Sequence, residues 1–297
     1  MKERNTQIEH TQRIVGWALA HRFKKCRVGK CLFLPTRNVR VCNKLHTLQL
    51  SLLVVLSFLP ALGCSKKEAP QKAGELVVLC GSSFVPPTEQ LCSEFKAQTG
   101  IETVYTVGGS EDLLPHVKAG IKGDIFITHD PFLDFTRDAN ALADDVHVGF
   151  VAPVLAVQKG NPKAIKSVED LTRPGLKVAL SNPEYSTCGE MVFALLEKKG
   201  IKDAVMKNVE NRLTKGHSNI GTFLKTQAVD AGIMWNGVAH TFADSLEIVK
   251  TPYEYEQEIR VHIMGLSYTK QPEALRQFME FARKRGPAIF AAHGYVK

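Results

Sequence analysis

The 297-residue sequence lacks the features that identify several large classes of protein. It contains neither a Gly-rich phosphate-binding loop nor a dinucleotide-binding fingerprint, and it has no Gly-x-Ser-x-Gly nucleophile elbow. It also lacks an excess of positive charge outside its beginning: residues 1–63 carry 11 Lys and Arg against two Glu, whereas residues 64–297 carry 27 against 28 Asp and Glu. The basic footprint expected of a nucleic-acid-binding protein is therefore missing from most of the chain.

A hydrophobic run long enough to span a bilayer is absent as well. The longest apolar stretch, Leu50–Leu59, is much shorter than the ~20 residues that a membrane-spanning helix needs. Basic Arg40 and Lys44 precede this stretch, and small or apolar residues lead from it to Cys64. This order predicts a signal peptide.

Residues 61–64, which read Ala-Leu-Gly-Cys, resemble a bacterial lipobox. The resemblance implies cleavage before Cys64 and a diacylglyceryl thioether on its sulfur, which would anchor the protein to a membrane. The polar residues 64–75 are interpreted as a flexible, lipidated tether. Signal peptides usually have about 15–30 residues, so residues 1–63 are interpreted as an N-terminal extension of about 40 residues followed by the signal peptide.

Cysteine is scarce after this segment, where only Cys80, Cys92 and Cys188 follow Cys64. An extracytoplasmic compartment permits disulfides, and a Cys80–Cys92 bond stays an open alternative. The cysteines of residues 1–63 lack Cys-x-x-Cys or paired-histidine spacing, so the sequence predicts no zinc site and no cofactor.

Strand and helix patterns alternate twice along the rest of the chain. The first unit reads strand 76–80, helix 86–100, strand 101–106, helix 110–120 and strand 124–128, with Ser110 as the expected N-cap of its second helix. After the apolar stretch 151–158, where the first hinge crossing is expected, the second unit reads strand 177–180, helices 188–199 and 219–226, and strand 231–235. Such alternation predicts parallel sheets covered by helices, with ligands bound beyond the carboxyl ends of the strands.

Two further elements follow without starting a third unit, a strand-like segment at residues 259–268 and a helix at 272–285. We expect them to return to the first lobe. The sequence therefore predicts an α/β protein with two lobes, mixed or parallel sheets flanked by helices, and a two-strand hinge. Its first lobe would be discontinuous, residues 76–152 with 251–297, around a second lobe at residues 153–250.

Six short motifs follow one another over residues 76–297. They are VVLCGSSF at 77–84, GGSEDLL at 108–114, AGIKGDIFIT at 119–128, NPE to CG at 182–189, VDAGIMW at 229–235 and IFAAHGY at 289–295. Each is unspecific alone, but in this order and spacing they resemble the type II periplasmic binding proteins, and among them the molybdate-binding proteins of ABC transporters. The resemblance implies a closing two-lobed clamp that delivers a small oxyanion, such as molybdate or tungstate, to an ABC permease.

A tetrahedral oxyanion needs several hydrogen-bond donors that converge in a cleft, and helix N-termini with Ser and Thr hydroxyls supply them without a buried cation. The resemblance implies eight ligand-binding residues: Ser82, Ser83, Ser110, Thr187, Cys188, Ser218, Asn219 and Trp235. The three serines of the first lobe are also ordinary candidates for helix caps, and this alternative stays open.

In the second lobe the resemblance implies backbone amides as donors, at Thr187 and Cys188 and at Ser218 or Asn219. Trp235 stands where the family has a tyrosine. It offers an indole N–H instead of a phenol, and packing in the core is its alternative role.

Two carboxylates depart from the serine-rich loop of the family, Glu111 and Asp112. They would repel an anion unless they point to solvent, so either this helix face is solvated or the ligand is not an oxyanion. His129 is a further candidate, with an ordinary hydrogen-bonded loop residue as the alternative. Tyr253 and Tyr255 are similar to the tyrosine pair of ferric-ion-binding relatives, although they are not adjacent, and ferric ion stays an alternative ligand.

Two rival classes differ from a transport protein. An enzyme would need a nucleophile with a base, such as Cys188 with His217, but no local signature marks such a pair, and the sequence predicts no catalysis. A lipoprotein that senses its ligand and signals to a membrane partner needs the same clamp, and the sequence does not separate it from a transporter component. We expect a lipid-anchored, extracytoplasmic monomer.

Overall fold

Two five-stranded sheets, each flanked by helices, make up the part of the chain that the computed structural model describes, residues 74–251 and 258–297. The predicted signal peptide, Cys64, most of the tether, Tyr253 and Tyr255 lie outside these residues. The strands are β1 (Leu76–Gly81), β2 (Thr103–Gly108), β3 (Ile125–His129), β4 (Leu142–Val151), β5 (Pro153–Gln158), β6 (Val178–Ser181), β7 (Leu213–Thr214), β8 (Ala231–Trp235), β9 (Leu246–Val249) and β10 (Ile259–Leu266). The α-helices are α1 (Val85–Thr99), α2 (Ser110–Ala119), α3 (Phe132–Asp138), α4 (Thr187–Lys198), α5 (Lys202–Val209), α6 (His217–Lys225), α7 (Asn236–Thr241) and α8 (Pro272–Ala292).

The two sheets repeat one arrangement of strands. The first has the order β2-β1-β3-β10-β4 and the second the order β7-β6-β8-β5-β9. In each sheet the first three strands are parallel, and the fourth runs antiparallel to both of its neighbours. The chain passes from the first sheet to the second at Ala152, between β4 and β5. The boundaries of the two lobes stay a prediction.

A buried amide joins the two sheets beside this crossing. The Nδ2 group of Asn236 donates to the carbonyl oxygens of Phe150, Gly294 and Val296 at 3.0–3.2 Å, and its Oδ1 accepts the N–H of Ala152 at 3.2 Å. Asn236 is 4% exposed and directly follows β8. The end of a strand in the second sheet is therefore tied to β4 and to the C-terminal segment.

Local chemistry accounts for the ends of α1 but not for the start of α2. Prolines occupy the first turn of α1, and Gly100 ends it in the left-handed region at φ 76°, where a residue without a Cβ is favoured. The prediction that Ser110 caps the next helix is wrong: Gly109 is the N-cap of α2, and Ser110 is its first helical residue. The Ser110 hydroxyl bonds to a neighbouring strand instead, because Thr128 lies within reach.

Several elements are present that the sequence pattern did not predict: α3, β4, α5, β7, α7 and β9. The strand β4 is the most instructive, because it contains Asp144 and Asp145, residues that are rare in strands. Their charges are balanced by other elements, Asp144 by Arg283 at 2.8 Å and Asp145 by His262 at 2.8 Å. The last helix, α8, also continues beyond its predicted end, since the buried residues Ile289 and Phe290 extend its apolar face.

Candidate ligand-binding cleft

One cleft is lined by residues at or directly after the carboxyl ends of β1, β2, β3, β7 and β8 and by the segment between β6 and α4, as expected for open α/β sheets. Its lining divides into two walls by the sheet that carries each residue. The first wall consists of Gly81, Ser82, Ser83, Phe84, Gly109, Ser110, Glu111 and His129. The second wall consists of Tyr185, Ser186, Thr187, Lys215, His217 and Trp235.

Ser82 and Ser83 form a tight 3-10 turn directly after β1. The hydroxyl of Tyr295 donates to the carbonyl oxygen of Ser83 and so ties this turn to the C-terminal segment. The Tyr295 ring packs against Phe84, with 5.4 Å between the ring centroids. The C-terminal segment therefore fixes the serine turn of the first wall.

Ser110 forms a hydrogen bond with the buried hydroxyl of Thr128, which does not line the cleft. Thr128 Oγ1 is fully buried and lies 2.6 Å from Ser110 Oγ. A Thr128 hydroxyl that donated nowhere would be a buried unsatisfied donor, so it donates to Ser110. The hydroxyl hydrogen of Ser110 is then left for the cleft.

The two carboxylates after Ser110 meet the second wall. Glu111 Oε1 accepts the hydroxyl of Thr187 at 3.2 Å, and Asp112 Oδ2 lies 2.9 Å from Lys215 Nζ. Desolvation raises the pKa of Glu111, while hydrogen bonds from Thr187 oppose the rise. Glu111 therefore lines the cleft. The alternative that Glu111 and Asp112 point only to solvent does not hold for Glu111.

A third carboxylate lies close to Glu111 on the helix α4. Burial and the charge of Glu111 together raise the pKa of Glu190 to about 7. A carboxyl group with such a pKa is partly protonated at neutral pH, so Glu190 relieves part of its repulsion with Glu111 by binding a proton.

The start of α4 shapes the second wall. Ser186 is its N-cap, and the Ser186 side chain accepts the N–H of Gly189 at 3.3 Å. A Cβ on Gly189 would lie 2.6 Å from the carbonyl oxygen of Ser181, a distance that real Cβ atoms do not show. Glycine is therefore required for the first turn of α4 to lie against the end of β6.

His217 begins α6 and is buried, 7% exposed. Its Nδ1 lies 3.1 Å from Ser181 Oγ and its Nε2 lies 3.2 Å from Ser186 Oγ. Burial and the neighbouring His129 lower its pKa to about 3. The imidazole is neutral at neutral pH, and both of its nitrogens are occupied by serines rather than by a cysteine.

Trp235 lies between two imidazoles at the floor of the cleft. Its ring centroid is 5.4 Å from that of His129 and 5.6 Å from that of His217. The Nδ1 of His129 is 2.6 Å from the carbonyl oxygen of Asp130, which can only accept, so this nitrogen carries the hydrogen. Burial lowers the pKa of His129 to about 4. The floor is therefore aromatic and uncharged.

The structure brings five of the eight predicted site residues to the cleft: Ser82, Ser83, Ser110, Thr187 and Trp235. Cys188, Ser218 and Asn219 are not among the lining residues. Cys188 is fully buried in the hydrophobic core, and burial raises the pKa of its thiol. The N–H of Asn219 donates to the carbonyl oxygen of Gly216 at 3.2 Å, within the first turn of α6.

Sequence reasoning missed Ser186, Lys215 and Tyr185, and it did not assign His217 to ligand binding. Ser186 carried a usable signal, because a serine directly before a helix is a common N-cap and helix N-termini attract anions. Tyr185 lies in the segment between β6 and α4, whereas Lys215 and His217 come to the cleft through the packing of α6 against β6, which no local pattern reports.

Cysteine, metal and membrane features are limited in the described residues. Cys80, Cys92 and Cys188 are buried free thiols. Residues 74–251 and 258–297 contain no group of three or more His, Cys, Asp or Glu side chains arranged to hold a metal ion. Within the same ranges, none of the helices has the length and hydrophobicity needed to cross a bilayer.

Comparisons with known proteins agree with this architecture. The family model of the bacterial extracellular solute-binding proteins matches residues 76–296. The molybdate-binding protein ModA of Mycobacterium tuberculosis is 27% identical over 238 residues, which cover 76% of this chain and 86% of that protein.

Two solved structures share the fold at low sequence identity. The sulfate-binding protein SubI from Mycobacterium tuberculosis has a TM-score of 0.60 at 19% identity, with 74% of this chain and 86% of that chain covered. Iron-bound HitA from Pseudomonas aeruginosa has a TM-score of 0.57 at 18% identity, with 73% and 84% covered. The predicted two-lobed α/β fold and the predicted family are both confirmed. The chain belongs to the bacterial extracellular solute-binding proteins, in the type II periplasmic class, and it is similar to the molybdate-binding members.

Proposed function

We propose that the protein is the substrate-binding component of an ABC importer and that it binds a tetrahedral oxyanion of the molybdate or tungstate type. The observation that carries the proposal is that hydroxyl residues of both walls line one cleft: Ser82, Ser83, Ser110, Ser186 and Thr187. Hydrogen bonds to an ionised acceptor are stronger than neutral ones, so several hydroxyls can hold an anion without a buried cation. The similarity to molybdate-binding ModA supports this ligand class.

Helix N-termini add to the donors of the cleft. Three helices, α2, α4 and α6, begin at lining residues, at Ser110, Thr187 and His217. The first N–H groups of a helix have no partner within it, and the helix dipole places partial positive charge there. Together these helices favour a small anion at the centre of the cleft.

Closure of the two lobes around the ligand would complete the site. We propose lobes of residues 76–152 with 251–297 and of residues 153–250, as the sequence predicts. Donors from both walls reach a single anion only when the lobes are together, so ligand binding stabilises the closed form. That form would present itself to the permease.

Glu111 favours a second candidate, a solute that carries a hydrogen-bond donor or positive charge. Its carboxylate lines the cleft, and its charge helps to raise the pKa of Glu190 to about 7. A fully deprotonated anion gains nothing from these groups. The Thr187 hydroxyl that Glu111 accepts only partly compensates them.

A thermal-shift panel distinguishes these candidates. The purified protein is heated with molybdate, tungstate, sulfate, phosphate or ferric citrate. A ligand at about 1,000 times its dissociation constant stabilises the folded state by about 4 kcal/mol, which raises Tm by roughly 8–16 °C for a domain of this size. A shift with molybdate and tungstate but not with sulfate supports the proposal, since sulfate has the same shape and charge but is smaller. A shift with ferric citrate alone contradicts it.

We further propose that Cys64 is lipidated and holds the protein at a membrane on its extracytoplasmic side. The lipobox-like residues 61–64 support this. Cell fractionation tests it, because Cys64→Ser should move the protein from the membrane fraction to the soluble fraction. Retention of the variant in the membrane fraction would contradict the anchor without affecting the proposed ligand.

A further inference from the structure

The two ring nitrogens of His217 each contact a serine hydroxyl on the second wall. Nδ1 lies 3.1 Å from Ser181 Oγ and Nε2 lies 3.2 Å from Ser186 Oγ. A neutral imidazole has one N–H donor and one acceptor nitrogen. The nitrogen that carries the hydrogen decides which serine accepts a hydrogen bond from the ring and which serine donates one to it.

The surroundings of the two serines differ. Ser181 ends β6 and is 2% exposed, and in the described part of the chain His217 is its hydrogen-bond partner. Ser186 lines the cleft and already accepts the N–H of Gly189 at 3.3 Å. A hydroxyl hydrogen on Ser186 can therefore reach a molecule in the cleft, whereas one on Ser181 is sealed in the protein.

This difference selects one tautomer. If Nδ1 carried the hydrogen, it would donate to Ser181, whose own hydroxyl hydrogen would then be buried without an acceptor. Ser186 would have to donate to Nε2, away from the cleft. If Nε2 carries the hydrogen, Ser181 donates to Nδ1 and Nε2 donates to Ser186. An unpaired buried donor destabilises a protein, so this second arrangement is favoured.

We propose that Ser181 and His217 are positioning residues that direct the hydroxyl hydrogen of Ser186 into the cleft, which makes Ser186 a ligand-binding residue. Ser186 accepts twice, from Gly189 and from His217, and donates once to an acceptor oxygen of the ligand. The identity of that ligand as an oxyanion rests on the proposed function. The direction of the hydrogen bonds does not depend on it.

The tautomer of His217 is measurable without any ligand. Two-bond ¹H–¹⁵N correlation spectra of histidine-labelled protein distinguish Nε2–H from Nδ1–H, and the signal missing from His217→Gln assigns the residue. We expect Nε2–H at pH 7. The Nδ1–H tautomer would overturn the proposal, because Ser186 would then donate to the ring.

Binding affinity gives a second test, by calorimetric titration with molybdate. Ser186→Ala should weaken binding about 10- to 100-fold, since it removes a hydrogen bond to a charged group. Ser186→Thr keeps the hydroxyl and should restore most of the affinity. Ser93→Ala on the exposed face of α1 is the matched control and should bind as the unchanged protein does.

Ser181→Ala separates positioning from direct contact, because Ser181 does not line the cleft. We expect about 3- to 10-fold weaker binding and a larger Nδ1–H population. Unchanged affinity in Ser186→Ala would overturn the proposal that Ser186 binds the ligand, and unchanged affinity in Ser181→Ala would overturn the positioning role of Ser181. If the unchanged protein does not bind molybdate, the proposed function fails, and the tautomer measurement still decides this inference.

Discussion

On the first wall of the cleft, buried Thr128 lies 2.6 Å from Ser110, whereas on the second wall buried Ser181 reaches Ser186 only through the ring of His217. Each wall thus has a sealed hydroxyl behind a serine of the cleft. In both, the sealed residue has to use its hydrogen inside the protein. This leaves the hydrogen of the cleft serine as the one that a ligand can accept.

The two walls differ in what lies between the buried hydroxyl and the cleft serine. The hydroxyls are in direct contact on the first wall, and the imidazole of His217 lies between them on the second. Two hydroxyls do not titrate in the ordinary pH range, whereas an imidazole does, and burial lowers the pKa of His217 to about 3. The first wall also has a buried imidazole, His129, but this ring is bonded to the backbone of Asp130 and does not connect Thr128 to Ser110. The same donor geometry therefore makes folding stability sensitive to acid on the second wall, through His217, but not through the two hydroxyls of the first.

The largest loss of stability should come from Gly189→Ala, which distorts the second wall and leaves the first unchanged. The new Cβ would lie 2.6 Å from Ser181 O and 2.9 Å from backbone carbon of Asn182, and these backbone atoms cannot rotate away. We expect a loss of about 3 kcal/mol in the free energy of unfolding, the upper end of overpacking effects. Molybdate affinity should fall more than tenfold, because Ser186 moves with α4.

Gly216→Ala is the control for this prediction, since a Cβ there meets nothing within 4 Å. It should cost less than about 1 kcal/mol, the usual scale of an N-cap change. Urea denaturation measures both variants. Equal losses at the two positions would show that α4 does not depend on its close approach to β6.

Ser110→Ala is the corresponding substitution on the first wall. It removes a donor to the ligand and leaves the Thr128 hydroxyl buried without its acceptor. Binding should weaken by about 2 kcal/mol, and the free energy of unfolding should fall by about 1–2 kcal/mol. Calorimetry and urea denaturation measure the two effects.

Adding Thr128→Val to Ser110→Ala separates the effect on stability from the effect on binding. Removing both partners of a buried hydrogen bond is often nearly neutral for folding, so the double variant should regain most of the lost stability. Its affinity should stay low, because the cleft serine is still missing. A double variant that recovered affinity would mean that Ser110 does not contact the ligand.

The pH dependence of the free energy of unfolding should also differ between variants of the two walls, but by less than the effects above. Burial holds the pKa of His217 at about 3, against about 6.5 in an unfolded chain. The unfolded state therefore binds more protons between these values, so the stability is complete above pH 6.5 and is lost as pH falls toward 3. At pH 5.5 the loss from His217 is about 1.4 kcal/mol.

His217→Gln has no titrating group and should lose that much less stability between pH 8 and pH 5.5 than the unchanged protein. Thr128→Val on the first wall should keep the full pH dependence, since it removes no titrating group. His129 titrates in all three proteins and cancels. Urea denaturation at the two pH values measures the difference, and identical slopes in all three would contradict a buried neutral His217.

The fold was predictable where apolar runs are continuous and helix ends carry local signals. Strands β1, β3, β6 and β8 are short and fully or mostly buried, and their positions follow from the sequence. Strand β4 was not predictable, because Asp144 and Asp145 are stabilised by residues far along the chain. Propensity carries no information on such distant partners.

The site divides in the same way. Ser82, Ser83 and Ser110 stand in short motifs next to predicted strand ends, and the family resemblance of these motifs is what implied a place in the cleft. The hydrogen bonds from Ser181 through His217 to Ser186 join β6, α6 and the start of α4. They depend on how these elements pack, and no spacing in the sequence reports that packing.

The smallest effect should come from the ion pair that joins the walls. Lys215 Nζ lies 2.9 Å from Asp112 Oδ2, with side chains 60% and 52% exposed, so water and salt screen the pair. Lys215→Met should change the free energy of unfolding by less than about 0.5 kcal/mol, and this small change should disappear in 0.5 M salt. Thr187→Val, which removes the hydroxyl contact to Glu111, is the matched cross-wall variant. If Lys215→Met instead cost more than about 1 kcal/mol at high salt, the pair would hold the two walls together far more strongly than an exposed, screened ion pair can.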